Sequence, residues 1–181
     1  MLENRIDREQ EPVSLPPYGD HRRVPVEVVQ CPISYLYKKT QTEETVPVCA
    51  VLAKYLVRRV KYRDGEWGGI LGMSDGVMTH YVPDHNGKTT ADSYIPCHED
   101  LNWIIAQWKR VGIEFGGILR GNPPGETMPG ESDLRYMAAL LTFNPRLPST
   151  LLGIVADGQL YLYRFDRDFL IWRQNWEYSG Q

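Results

Sequence analysis

A chain of 181 residues and 20.8 kDa is the size of one compact domain, since domains cluster near ~100–150 residues and split beyond ~250. Apolar residues at 42% and charged residues at 24% exclude a disordered, collagen-like or coiled-coil chain, and apolar runs such as 151–156 fall far short of the ~18–20 residues that span a bilayer. A net charge of -3 and a pI near 5.8 offer no basic face to a phosphate backbone, so neither nucleic acid nor membrane is an expected partner.

Residues 1–24 are polar and broken by Pro12, Pro16 and Pro17, and they are expected to form a disordered tail that the fold does not need. The first residues hold no apolar stretch of an export signal. With Cys31, Cys49 and Cys97 odd in number and widely spaced, the expectation is reduced thiols and a cytoplasmic setting. Val26, Val28, Ile33, Tyr35 and Tyr37 suit an extended segment, and Lys38 to Thr45 a polar linker, so 25–45 is read as extended segment plus linker and 46–181 as the domain.

From Pro47 the period turns helical, with Val48, Leu52, Tyr55, Leu56 and Arg59 on one stripe and the proline placed in the first turn. Asp64-Gly65 then signals a turn, and Trp67 to Leu71 with Val77 to Val82 read as a hairpin about Ser74-Asp75-Gly76. A weaker strand runs toward Tyr94-Ile95. Leu101, Ile104, Ile105, Trp108 and Val111 mark a second helix that Gly112 ends. Phe115 to Leu119 is a buried-type strand that enters a loop rich in proline and glycine; the loop lacks the lysine of a phosphate cradle. Leu134, Met137, Ala138 and Leu141 make a third helix, ended by Pro145. Three strands follow, 151–155, 160–165 and 169–172, joined by Asp157-Gly158 and Asp166 to Asp168. Strands partly joined as hairpins and partly separated by helices indicate an α+β domain with a mixed sheet covered by helices.

Four further features are weighed singly. The Gly68-Gly69 and Gly116-Gly117 pairs suit bulges or close-packed strands. His80 and His85 are five apart, which places them on opposite faces of a continuous strand unless Pro83 turns the chain. Cys97 and His98 are neighbours and would point about 100° apart on a helix, a poor nucleophile pair. Tyr161, Tyr163 and Phe165 would share one strand face with Leu160 and Leu162 on the other; most of this is expected to be core, with some apolar surface left for a partner.

The motifs also stand in a recognisable order. Glu66-Trp67-Gly68-Gly69-Ile70-Leu71-Gly72 follows a helix; then come Gly116-Gly117-Ile118-Leu119-Arg120-Gly121-Asn122-Pro123 and Gly130-Glu131-Ser132-Asp133. This order resembles the MPN/JAMM (Mov34-type, JAB-like) domain, whose pattern is a Glu ahead of a Gly-rich strand, a strand ending in His-x-His-Pro, six residues, then Ser-x-x-Asp. The resemblance covers roughly 46–166 and implies a cytidine-deaminase-like sandwich. In active members two His and the Asp hold zinc, the Glu is the general base, the Ser helps bind the oxyanion, and the reaction is hydrolysis of an isopeptide or peptide bond at the end of ubiquitin or a ubiquitin-like protein.

By that resemblance Glu66 falls on the general base, here vestigial, and Asp133 on the aspartate ligand, the one metal position retained. Arg120 and Asn122 stand where the two His belong, and Gly130 where the Ser belongs. A guanidinium has no lone pair and stays protonated, and an amide oxygen is a poor stand-in for imidazole. No cofactor is therefore expected, and zinc only under an alternative reading as a peptidase with an unorthodox metal site. The first expectation is a pseudoenzyme, a metalloprotease homologue that binds another protein: a second copy of itself, an MPN-type domain or a ubiquitin-like protein. A third reading has Arg120 anchoring a small anion or a partner group. If Arg120 fills the vacated metal position, it should donate to Glu66, Asp133 or both.

Overall fold

The hairpin legible in the sequence is formed. In the computed structural model, which describes residues 12–16, 45–60, 68–89, 94–168 and 171–179, strands β2 (Gly68–Ser74) and β3 (Val77–Pro83) pair antiparallel. Asp75 at φ 50° and Gly76 at φ 77° make the two left-handed residues of the tight turn, and Asp157 at φ 51° with Gly158 at φ 71° repeat the device later. The other elements are β1 (Thr45–Cys49), helix α1 (Ala50–Arg59), the short strands β4 (Lys88–Thr89) and β5 (Tyr94–Ile95), α2 (His98–Arg110), β6 (Glu114–Gly121), α3 (Glu131–Phe143), β7 (Ser149–Ala156), β8 (Gln159–Asp166) and β9 (Ile171–Ser179). Gly112 at φ 78° closes α2. No helix among the described residues is long and apolar enough to cross a membrane.

The architecture is α+β, with a mixed sheet and, among the described residues, three helices. Strand order is β1-β3-β2-β6-β7-β8-β9, and β9 returns to β1, so the sheet closes into a barrel. The β1–β3, β6–β7 and β1–β9 pairs are parallel, the rest antiparallel. Closure runs against the sequence reading, which puts Pro47 in a first helical turn. Instead Pro47 lies within β1, opposite Glu177 of β9, and the helix starts at Ala50. The last strand also outruns its expected end at Trp172 and continues to Ser179. The expected strand between Val24 and Tyr37, the Asp64-Gly65 turn, Trp67, Phe169, His21, Cys31 and Glu66 lie outside the described residues.

Two apolar clusters lie on the two faces of this sheet. Leu151, Val155, Leu160 and Leu162 join Val48, Leu71, Met78 and Leu119 under Leu52, Ala53 and Leu56 of α1. Leu152, Ile154, Tyr163 and Phe165 join Leu101, Ile105 and Trp108 of α2 and Met137, Leu140 and Leu141 of α3. The run from Leu151 to Ala156 is continuously apolar because helices cover both faces. The Tyr163 and Phe165 face is thus core, covered from within by α2 and α3. Gly116 is the additional residue where Leu71 pairs Gly117 and Gly72 pairs Phe115, a bulge in β6.

The expectation of a disordered tail over 1–24 fails at residues 12–16. Leu15 is 1% exposed and belongs to the cluster of α2 and α3, with Val13 packed against it. The segment has no apolar periodicity, and two prolines within five residues read as disorder, yet one leucine suffices to seat it. Leu15→Ala should cost about 2–4 kcal/mol. At ~2–4 °C per kcal/mol for a chain of this size, the melting temperature should fall by roughly 4–16 °C; an unchanged transition would mean that the segment contributes nothing.

Candidate functional site

Strand β6 delivers Arg120 to the start of α3, and both are where the sequence order puts them. An Arg120 guanidinium nitrogen (Nη2) lies 2.9 Å from Asp133 Oδ2, and the two side chains are each 8% exposed. The pair expected between Arg120 and Asp133 is therefore formed. The same Asp133 oxygen accepts the Gly130 N–H at 2.8 Å, the half of a capping box that the helix residue supplies; glycine has no hydroxyl to complete the other half. Asp133 also sits in the first turn, where the helix dipole favours a carboxylate. Burial pushes the Asp133 carboxyl up, against the downward pull of Arg120 and the Gly130 N–H.

Asn122 does not join this pair. Just beyond β6, its N–H donates to the Val155 carbonyl at 3.0 Å, and its Nδ2 donates to the Glu126 carbonyl at 2.9 Å, which ties the proline-rich loop to the sheet. Its buried Oδ1 has no donor among the described residues. Tyr163 holds the same loop through a 2.7 Å bond to the Thr127 carbonyl, and the Asp157 carboxylate receives the Gly125 N–H at 3.1 Å.

A cavity of about 30 Å³ adjoins the ion pair, lined by Arg120, Asp133, Tyr94, Ser132, Tyr136 and the apolar floor of Ile118 and Leu152. Its size suits a single water. Tyr136 brings a buried hydroxyl with no bond among the described residues, and burial, then the nearby Asp84, pushes that hydroxyl up. Asp84 organises the rim: its Oδ2 accepts the Tyr94 hydroxyl at 2.6 Å and the Cys97 N–H at 2.7 Å, and its Oδ1 the Asn86 N–H at 3.3 Å. Burial and then the bond to Asp84 push the Tyr94 hydroxyl well up. The Tyr94 ring lies so close to Gly68 that a Cβ there would stand 2.2 Å from it, which gives this glycine its reason. Sequence reasoning missed Asp84, Tyr94 and Tyr136. They meet only because the β4–β5 ribbon folds over the ends of β2 and β6, and no local spacing announces that.

Other candidates resolve singly. His80 packs edge-on against Trp108 with ring centroids 6.1 Å apart and has Thr79 Oγ1 at 2.7 Å from its Nδ1, while His85 is exposed. Cys97 Sγ faces Asp100 at 3.5 Å. Among the described residues no three His, Cys, Asp or Glu side chains converge as a metal set. The donor chemistry at the resemblance's metal position does not fit zinc, because the one carboxylate is engaged by a guanidinium and an N–H and the Asn122 amide is turned to the loop.

No protein-family model matches the sequence, and no curated protein matches it. In structure the chain is similar to protein DSY2949 from Desulfitobacterium hafniense, with TM-score 0.53 and 14% identity over 75% of this chain and 93% of that one. That likeness is one of fold. A JAB1/MPN domain protein from Archaeoglobus fulgidus superposes with TM-score 0.43 and 14% identity, over 74% of this chain and 99% of that one.

Proposed function

We propose that this chain is a catalytically inactive MPN/JAMM-like domain that serves as a protein-interaction module. The observation that carries the reading is the buried Arg120–Asp133 pair, since it places a permanent cation against the one carboxylate that the resemblance assigns to zinc. A dication is repelled there, and without it no water is activated near neutral pH. The apolar scaffold and its glycines remain, as they do when a fold keeps its shape and changes its task. Val51 at 74% exposure and Trp103 at 66% leave apolar area that a protein can cover, whether a second copy, an MPN-type domain or a ubiquitin-like protein.

Elemental analysis of protein purified without chelator should find far less than one zinc per chain, and added zinc should not elicit cleavage of ubiquitin dimers. About one zinc per chain, lost on Asp133→Ala and accompanied by cleavage, would reinstate the peptidase reading. Arg120→His combined with Asn122→His should raise zinc affinity, read by calorimetry, because it puts one imidazole beside Asp133 and supplies a second at 122, where the side chain must turn away from the Glu126 carbonyl. No gain would mean that the end of β6 has left the family's geometry.

A further inference from the structure

Residues 12–16 are held in an unusual way. The Ser14 N–H donates to Asn144 Oδ1 at 2.8 Å, and Asn144 Nδ2 donates back to the Ser14 carbonyl at 2.7 Å. The next residue repeats the arrangement: the Leu15 N–H donates to Asn102 Oδ1 at 2.6 Å, and Asn102 Nδ2 donates to the Leu15 carbonyl at 3.2 Å. A carboxamide carries one acceptor and two donors side by side, so it matches the N–H and C=O of one peptide residue as a neighbouring strand would. Two consecutive residues are thus read through their backbone alone. A backbone reader is indifferent to whose backbone it holds.

Selectivity comes from the side chains between the clamps. Leu15 is buried in the cluster that contains Leu101 and Ile105 of α2 and Leu140 and Leu141 of α3. Pro16 keeps Leu15 out of the helical region, and Pro12 fixes its own backbone, so little freedom is lost when this segment seats. One of the two clamps is held independently of its occupant. Asn144 is oriented by the Leu140 carbonyl, which accepts its N–H at 3.1 Å and its Nδ2 at 2.8 Å, while Arg167 ties down the carbonyls of Leu141, Asn144 and Leu147. Asn102 is carried by α2.

We propose that the cleft between α2 and the C-terminal end of α3 is a peptide-binding groove for proline-flanked segments with a leucine anchor. Residues 12–16 occupy it as an intramolecular ligand, and a partner peptide of the same pattern displaces them. The groove is separate from the Arg120 pair, and the inference stands or falls without the reading of that site.

The test uses the full chain carrying Leu15→Asp, which empties the groove, and a fluorescent synthetic peptide of residues 11–17. Binding should be saturable and at least ten-fold tighter than to the wild-type chain, whose own segment competes. It should weaken at least ten-fold when the peptide's leucine is replaced by aspartate, or when Asn102→Leu is added to the chain. Equal binding by wild type and Leu15→Asp, or no effect of Asn102→Leu, would overturn the proposal. Should Leu15→Asp not fold, amide hydrogen exchange on the wild-type chain decides. Ser14 and Leu15 should then exchange at least a hundred-fold faster than Ile154 and Leu162, through local release of the segment. Identical rates would mean that the segment leaves only on global unfolding, and the groove would then be core.

Discussion

Arg120→Met should lower the unfolding free energy at pH 7 by about 3–5 kcal/mol, the range for breaking a buried pair from one side. Both partners are nearly sealed from water, so among the described residues the Asp133 charge would be left with the Gly130 N–H alone. The pH dependence carries the sharper signature. Burial already lifts the Asp133 carboxyl above its ordinary 3.8, and loss of the guanidinium removes the larger downward pull. A carboxyl raised in the folded state binds its proton more readily there than in the unfolded chain. Stability is therefore regained as pH falls through the raised value, and the gain is complete below the unfolded value near 3.8. The deficit of Arg120→Met against wild type, measured by urea unfolding, should be smaller at pH 5 than at pH 8. Asp133→Asn should cost less, because the amide oxygen still accepts from Arg120. A deficit that does not vary with pH, or a larger loss in Asp133→Asn, would remove the ion pair from the account.

Gly117→Ala should cost about 4 kcal/mol or more, or abolish folding, whereas Gly116→Ala one residue away should cost about 1–2 kcal/mol. A Cβ on Gly117 would stand 2.0 Å from the Leu151 carbonyl oxygen and 2.7 Å from its carbon. Those are backbone atoms of the parallel partner strand, in register with Gly117 itself, and they cannot yield without parting β6 from β7. A Cβ on Gly116 instead meets Met73 Cγ at 2.8 Å, a flexible side chain able to turn away. Chemical unfolding of the two variants checks the contrast, and equal losses would refute the close-approach argument.

Much of the scaffold was legible because its signals are local. The apolar stripe from Leu101 to Trp108, the Asp75-Gly76 turn and the stop at Gly112 each declare an element within a few residues. β1 was hidden because Pro47 and the spacing of Val48 and Leu52 satisfy a helix as well as a strand followed by a helix. Only the pairing of β1 with β9, at the far end of the chain, decides between them. Leu15 was hidden for a related reason: its partners Asn102 and Asn144 are distant in sequence and polar, and no periodicity announces them. At the candidate site, the Arg120–Asp133 contact followed from charge balance once the motif order was seen. The Asp84, Tyr94 and Tyr136 hydroxyl-carboxylate group did not, because a two-residue ribbon assembles it.

The parallel register of β1 on β9 also sets how the domain carries load. Thr45 lies beside Asn175 and Cys49 beside Ser179, so β1 and β9 run side by side in the same direction. Tension that pulls the chain away before Thr45 and beyond Ser179 is directed along the strands in opposite senses. It loads the rungs of this ladder together, in shear, where a hairpin would unzip one rung at a time. Forced opening is governed by the barrier rather than by equilibrium stability, so the seam that closes the barrel is also its mechanical clasp.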